Sequence, residues 1–367
     1  MSLAAERATA AEPDRLAQFS SPREVDGIVG HAEALAEFAR ARDSGRMHHA
    51  WLLVGPEGVG KATLAYHFAR TALAENAGEE TVDASHPVFR KVAVLAHPNL
   101  LLLRRSWIEK TKRYSQWIGV DEVRRLRAFL GNTAGEDAWR VVIVDRADEL
   151  SQSAANALLK ALEEPPPGTL FLLVSSAEGR LPATIRSRTR TLRVTGLSQP
   201  DLKTAVEAAL ERGGQEADTE TLQLALALGQ GSVRRALELV SGEGIELYRE
   251  IAAMLGALPE LDGVRLHKLA DPLSSQAETQ RLELYFALML GLIERLTRFA
   301  ATGEGLVGEE QTLAMRLVST DNLVHWAEVW EALAKAKAEA FELNLDRSLL
   351  LLDAWFKLQQ LVRQHPV

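Results

Sequence analysis

Gly55-Pro56-Glu57-Gly58-Val59-Gly60-Lys61-Ala62-Thr63 is the stretch on which the reading of this chain turns. Ahead of it runs Trp51-Leu52-Leu53-Val54, a short apolar segment that predicts a buried strand. Behind it comes Leu64-Ala65-Tyr66-His67-Phe68-Ala69-Arg70, whose apolar spacing fits an amphipathic helix. A G-x-x-x-x-G-K pattern between strand and helix predicts a phosphate cradle. Gly55, Gly58 and Gly60 let backbone N–H groups close around phosphate oxygens, the helix N-terminus adds its positive dipole end, and Lys61 adds a point charge. The position after the lysine holds Ala62, where magnesium chemistry needs a Ser or Thr hydroxyl. Thr63 would supply one only if the loop shifted by a residue. The loop is built to hold a nucleotide and badly equipped to use one.

The totals bound the rest. A chain of 367 residues suggests two or three domains, and 47% hydrophobic with 25% charged residues is a globular composition. A net charge of −8 provides no global basic field to draw the chain to nucleic acid, so any DNA contact is local or shared with partner subunits. The chain has no cysteine, which excludes disulfides, thiolate zinc sites and cysteine nucleophiles and is compatible with a cytoplasmic protein. No apolar run reaches the length of a membrane span. Residues 1–24 are rich in Ala, Glu, Arg and Ser, lack the apolar centre of a signal peptide, and are expected to form a mobile tail.

From Val25 to about Gly196, strand and helix patterns alternate. A helix carrying Leu35 and Phe38 precedes the loop. Val92-Ala93-Val94-Leu95 and Leu100-Leu101-Leu102-Leu103 are candidate strands about the turn His97-Pro98-Asn99, and Asp121 is expected to cap a helix through Val123, Leu126 and Leu130. Val141-Val142-Ile143-Val144, Leu170-Phe171-Leu172-Leu173-Val174 and Thr191-Leu192-Arg193-Val194 are further strands. Together they predict a parallel sheet covered on both faces. Arg104 to Arg113 is locally basic, with Trp107 inside it and Tyr114 and Trp117 just after; it reads as a solvated loop with anchoring rings, with DNA contact as the alternative. After Gly196 the pattern is helical, opening on the capping sequence Ser198-Gln199-Pro200-Asp201, with a second boundary at Ser241-Gly242-Glu243-Gly244. The stripes Leu323, Trp326, Trp330, Leu333 and Leu345, Leu349, Leu352, Phe356 read as core.

In a hydrolysing P-loop, magnesium sits between the loop hydroxyl and an acid ending a nearby strand, and a neighbouring carboxylate activates water. Asp145 ends the apolar run and fits the metal role, but its neighbour is Arg146, not Glu. The metal hydroxyl and the base are both missing.

Ala154-Ala155-Asn156-Ala157-Leu158-Leu159-Lys160-Ala161-Leu162-Glu163-Glu164-Pro165-Pro166, followed by Leu181-Pro182-Ala183-Thr184-Ile185-Arg186-Ser187-Arg188-Thr189, resembles the signature of AAA+ clamp-loader subunits. Asn344-Leu345-Asp346-Arg347 is similar to the opening of that family's last collar helix. The resemblance implies an α/β P-loop domain over 25–196, a small helical lid over 197–243 and an all-α collar for oligomerisation over 244–367. Ala62 and Arg146 set the chain nearer the delta-prime branch of the bacterial DNA polymerase III loader than the gamma/tau ATPase branch, which keeps the hydroxyl and an Asp-Glu pair.

Carried over residue by residue, the resemblance implies that Ser187-Arg188 is the family's arginine-finger motif, here followed by Thr189 where the family has Cys. The finger reaches in trans toward ATP held by a neighbour. Ser175 or Ser176 falls at sensor 1 and Arg234 at sensor 2; Gly55, Gly58, Gly60, Lys61, Thr63, Asp145 and Arg234 make up a degenerate nucleotide site. ATP binding there is expected to be weak or vestigial, and zinc is not expected, since the four cysteines of zinc-binding members are absent and His86 and His97 form no equivalent site. Implied partners are gamma/tau and delta subunits, the sliding clamp and primer-template DNA through the complex, with no membrane. The competing readings are an active gamma/tau-type ATPase and another AAA+ scaffold of DNA metabolism.

Overall fold

The computed structural model describes residues 15–16, 18–75, 82–111, 113–131, 138–275, 278–308, 310–343 and 345–367. It divides into two compact units, one running to Glu216 and including Gln230–Arg235, the other formed by Ala217–Gly229 and Ala236–Val367. The segment 197–243, expected as one lid, contributes to both units.

In the first unit the described elements are, in order, α1 (Ala32–Asp43), β1 (Ala50–Val54), α2 (Lys61–Glu75), α3 (Pro87–Ala93), β2 (Leu100–Leu103), β3 (Trp107–Ile108), β4 (Arg113–Tyr114), α4 (Val120–Gly131), β5 (Arg140–Val144), α5 (Gln152–Glu163), β6 (Thr169–Ser175), α6 (Ala183–Arg186), β7 (Arg190–Arg193) and α7 (Gln199–Gly213). Five strands form a sheet in the order β2-β5-β6-β1-β7, every pair parallel. The strands are continuous apolar runs because both faces are covered. Trp51, Leu53, Val141, Ile143, Leu170 and Leu172 face the core under α1, α2 and α3. Leu52, Val54, Val142, Val144, Phe171 and Leu173 face the core under α4 and α5. The expected parallel α/β fold is therefore present.

Three local expectations are corrected. Val92-Ala93 closes helix α3, and Val94-Leu95 is the turn after it, not a strand. His86 caps that helix by accepting from the Val88 N–H at 3.0 Å, Pro87 opens it, and Val88, Phe89 and Val92 bury one helical face. The basic segment is a two-stranded antiparallel hairpin, β3 with β4, held by an edge-to-face pair of Trp107 and Tyr114 with centroids 5.1 Å apart. Asp121 lies inside the first turn of α4, paired with Arg124 at 2.7 Å, instead of capping it.

Of the expected tail, residues 1–14 and 17 lie outside the described residues. The end of it is packed: Phe19 is buried against Gly213, and Arg23 donates to the Ala93 carbonyl at 2.6 Å. A single buried ring outweighs the polar composition there.

The second unit is helical: α8 (Thr219–Gly229), most of α9 (Val233–Ser241), α10 (Gly244–Ala257), α11 (Gly263–Leu273), α12 (Thr279–Thr302), α13 (Glu310–Leu317), α14 (Leu323–Leu343) and α15 (Arg347–Gln364). Trp326, Leu333, Tyr285, Phe286 and Trp355 fill its core, and the Trp355 indole N–H donates to the Tyr285 hydroxyl at 2.6 Å. The Leu323–Leu333 stripe is core, with Trp330 donating to the Leu290 carbonyl. The second stripe is split. Leu352 packs against the core, whereas Leu345 just ahead of α15 and Leu349 and Phe356 on it are 50%, 65% and 55% exposed. Among the described residues, part of the apolar face of α15 is therefore uncovered. Among the described residues no helix is long and apolar enough to cross a membrane.

Candidate nucleotide cradle and the opposite sheet edge

The sheet polarity sorts the functional residues onto two edges. Val54 pairs with Ser175 and Val144 with Leu173, so the C-terminal ends of β1, β5 and β6 lie side by side. Gly55, Asp145 and Ser176, each following its strand, therefore gather at one edge. The cradle forms there because the chain leaves β1 through Gly55, where an added Cβ would lie 1.9 Å from the Val194 carbonyl oxygen, and only glycine fits. Gly58 stands at φ +76°, and a Cβ there would meet Ser232 Oγ at 2.3 Å and Arg234 Cβ at 2.5 Å. The loop is thus clasped by the segment that opens α9.

Lys61, the first residue of α2, is 4% exposed and donates from Nζ to the Gly55 carbonyl at 2.8 Å and the Pro56 carbonyl at 2.5 Å. Burial pushes its ammonium down to about 8; Glu57, Asp148 and Asp145 pull it up, and Arg146 pushes it further down. The unfolded amine titrates at its ordinary value, so between about pH 8 and 10.5 the unfolded chain binds more protons at this group, and its contribution to stability rises with pH across that window. Wild-type protein is expected to gain stability relative to Lys61→Met between about pH 7 and about pH 10 in urea unfolding. A stability difference that stays flat with pH would show that Lys61 titrates normally.

Arg234, which the resemblance implies as sensor 2, stands beside the cradle: its backbone N–H donates to the Gly58 carbonyl at 3.3 Å and its Nε stands 4.0 Å from Glu57. Asp145 follows β5 directly. Thr63 lies one residue past Ala62 in the first turn of α2. Asp148, His31 and Ser232 also stand at this edge and take no role from the sequence, whereas Arg146 does. Asp148 is buried and accepts from the Ser176 N–H at 3.1 Å. His31, at φ 56° ahead of α1, bonds the Val59 carbonyl through Nε2 at 2.8 Å. Ser232 Oγ donates to the Glu57 carbonyl at 3.0 Å. Arg146, at φ 64°, reaches Glu149 at 3.0 Å and Glu57 at 3.6 Å. The residue after the lysine brings no hydroxyl and the residue after Asp145 brings a cation, so the side chains present do not fit the hydroxyl–carboxylate arrangement that holds magnesium in hydrolysing P-loops.

Ser187 and Arg188 lie at the other edge. They precede β7, whose Arg190 pairs with Trp51 near the start of β1. Arg188 donates to Glu163 at 2.8 Å and to the Thr184 carbonyl at 2.9 Å, and Ser187 Oγ donates to the same carbonyl at 3.2 Å. Glu163 ends α5 beside Leu162, whose carbonyl bonds His49 at 3.0 Å just before β1 begins. The length of strand β7, Arg190–Arg193, separates the turn that carries Arg188 from Val194 beside Gly55, a rise of roughly 13 Å. Arg188 and the cradle of its own chain are at opposite ends of the sheet. The structure does not bring them together.

Residues 30–198 match the family model described as DNA polymerase III, delta subunit. DNA polymerase III subunit delta' of Pseudomonas aeruginosa is 34% identical over 204 residues, 55% of this chain and 58% of that protein. DNA polymerase III subunit gamma of Buchnera aphidicola is 30% identical over 226 residues, 61% of this chain and 60% of that one. DNA polymerase III subunit tau of Escherichia coli is 27% identical over 319 residues, 82% of this chain and 48% of that one. The chain spans about half to three fifths of the length of these relatives. Over residues 30–198 the chain is therefore similar to DNA polymerase III delta-subunit sequences, with delta' and gamma relatives at comparable identity.

Proposed function

We propose that the protein works in DNA replication as a delta-prime-type subunit of a DNA polymerase III clamp loader. In this reading Arg188 serves the nucleotide of a neighbouring gamma/tau-type subunit, and the chain's own cradle is not used for hydrolysis. The observation that carries it is the placement of Ser187-Arg188 at the sheet edge opposite the cradle, on a half-buried stem whose guanidinium bonds Glu163, the Thr184 carbonyl and the Ser187 hydroxyl. A cation there has no nucleotide to serve in its own chain. Directed at a phosphoryl group on a neighbour, its planar fork matches the charge spread over the oxygens. Ala62 and Arg146 support the second half of the reading, because neither the metal hydroxyl nor a base adjoins Asp145. Any ATP held by the chain itself would then be weak or vestigial.

The gamma/tau reading is favoured by relatives of comparable identity. It predicts that the purified chain hydrolyses magnesium-ATP when clamp and primed DNA are present. The test is hydrolysis by the chain alone and by a loader reconstituted with gamma/tau and delta subunits, sliding clamp and primer-template DNA. No turnover alone, with loading restored on reconstitution, supports the proposal; turnover by the isolated chain overturns it.

The uncovered face of α15 fits the second unit's proposed role in subunit association. Leu349→Glu with Phe356→Glu is expected to leave the unfolding midpoint within the range of ordinary surface changes, about 0.5 kcal/mol, because both side chains are already in water. The same pair is expected to weaken assembly with partner subunits at least about tenfold, since each charge would be desolvated in a packed interface. Size-exclusion chromatography of the reconstitution measures this, and unchanged assembly would remove α15 from the interface.

A further inference from the structure

Glu57 puts a negative charge where an arriving phosphate needs positive ones. Its carboxylate lies 3.6 Å from Arg146 Nη1 and 4.0 Å from Arg234 Nε, and of the neighbouring charges it does most to raise the proton affinity of Lys61. Three cations, Lys61, Arg146 and Arg234, thus face this one side chain. The loop carrying it is tied down by the Ser232 hydroxyl on the Glu57 carbonyl, the Arg234 N–H on the Gly58 carbonyl, and the Lys61 ammonium on the Gly55 and Pro56 carbonyls. Glu149 also engages Arg146, and Asp145 and Asp148 act on Lys61. Four carboxylates, one of them Glu149 shared with Arg105 at 2.9 Å, therefore face the three cations, and much of the cradle's positive charge is offset from within.

We infer that Glu57 is an internal anion that holds the cradle closed: it engages Arg146 and Arg234 in place of phosphate, and a polyphosphate binds there only by displacing it. The inference rests on the reading that this cradle is not used for hydrolysis. Arg146 links the two. A carboxylate after Asp145 would repel Glu57, whereas the arginine that stands there attracts it, so the residue that removes a base also supplies one half of the clasp. The lid segment supplies the other half through Arg234. Each half-exposed pair at this separation shifts an equilibrium by a factor of about 1.5 to 5. Releasing both and removing a full negative charge from the path of the phosphates should tighten binding about fivefold.

The test is binding of a fluorescent ADP, with inorganic pyrophosphate as competitor, to the full chain and to Glu57→Gln, in magnesium and in EDTA. Glu57 is exposed, so the variant folds as the wild type does, and Glu57→Ala provides a second measurement of the same quantity. Both variants are expected to bind ADP and pyrophosphate about fivefold more tightly than wild type, with a gain that shrinks as salt is raised. A gain of twofold or more for both ligands supports the clasp. A smaller gain, a gain confined to ADP, or no binding by any of the three proteins overturns it. Failure of the underlying reading looks different: it shows as magnesium-dependent turnover by the wild-type chain, whatever Glu57→Gln does to affinity.

Discussion

On the proposed reading, Arg188→Ala is expected to lower the clamp-loading rate of a reconstituted loader, and the ATP turnover that depends on clamp and primed DNA, on the order of a hundredfold for the assembly as a whole. The magnitude follows from what a guanidinium does for phosphoryl transfer: removing one such contact costs a factor of about 10³ to 10⁵ at a single site, and other interfaces of the assembly dilute the effect. The fold is expected to tolerate the change, because the bond to Glu163 is partly exposed and worth at most about 1 kcal/mol. Two controls separate function from packing. Arg190→Ala should cost stability and leave turnover alone, since Arg190 is held by Glu37 at 2.8 Å and lies over the Trp51 ring at 4.8 Å. Arg188→Lys should not rescue, because an ammonium lacks the planar fork. Turnover and loading unchanged in Arg188→Ala would end the trans-acting reading.

What could be read from the sequence, and what could not, separates along a physical line. Strands β1, β5 and β6 were legible because a parallel strand buried on both faces is written as an unbroken apolar run. Helix α3 was missed because Val92-Ala93-Val94-Leu95 taken alone has no period; the deciding signals, the His86 cap and Pro87, lie upstream of the run. The two stripes of the second unit show a different limit. Periodicity tells which side of a helix is apolar but not whether the same chain covers it: Trp326 and Leu333 are covered, Leu349 and Phe356 are not.

At the site, Arg234 came from the family resemblance alone, whereas Lys61 and Asp145 could be placed because each sits at a fixed offset from a strand end or helix start. Asp148, His31 and the meeting of Glu57 with Arg146 could not, since they depend on which strands are neighbours. Strand order β5-β6-β1 brings together loops that lie some ninety positions apart in the chain. Sequence shows that Arg146 is the wrong residue for a base. Only the sheet shows that it faces Glu57.

In the second unit the largest expected stability effect belongs to Glu310. Its carboxylate is buried and accepts from Arg295 Nε at 2.9 Å and Nη2 at 2.6 Å, from the Tyr248 hydroxyl at 2.5 Å and from the Val307 N–H at 2.9 Å, joining α10, α12 and the start of α13. Burial and the adjacent carboxylate raise the Tyr248 hydroxyl well above its ordinary value, so it remains a donor at any pH of interest. Glu310→Leu removes the acceptor shared by three donors and leaves the Arg295 guanidinium, 4% exposed, without its counter-charge. The expected loss is about 3–5 kcal/mol in urea unfolding, a large share of a typical domain's stability. Tyr248→Phe, which leaves Arg295 on the carboxylate, should cost only about 1 kcal/mol. The double change Arg295→Met with Glu310→Leu separates the two sources of that loss. If the cost comes from an orphaned charge, removing both partners should recover most of it, because desolvating the ion pair already offsets much of its attraction. If the double variant is as unstable as Glu310→Leu, the pair itself holds the three helices together, and the orphaned-charge account fails.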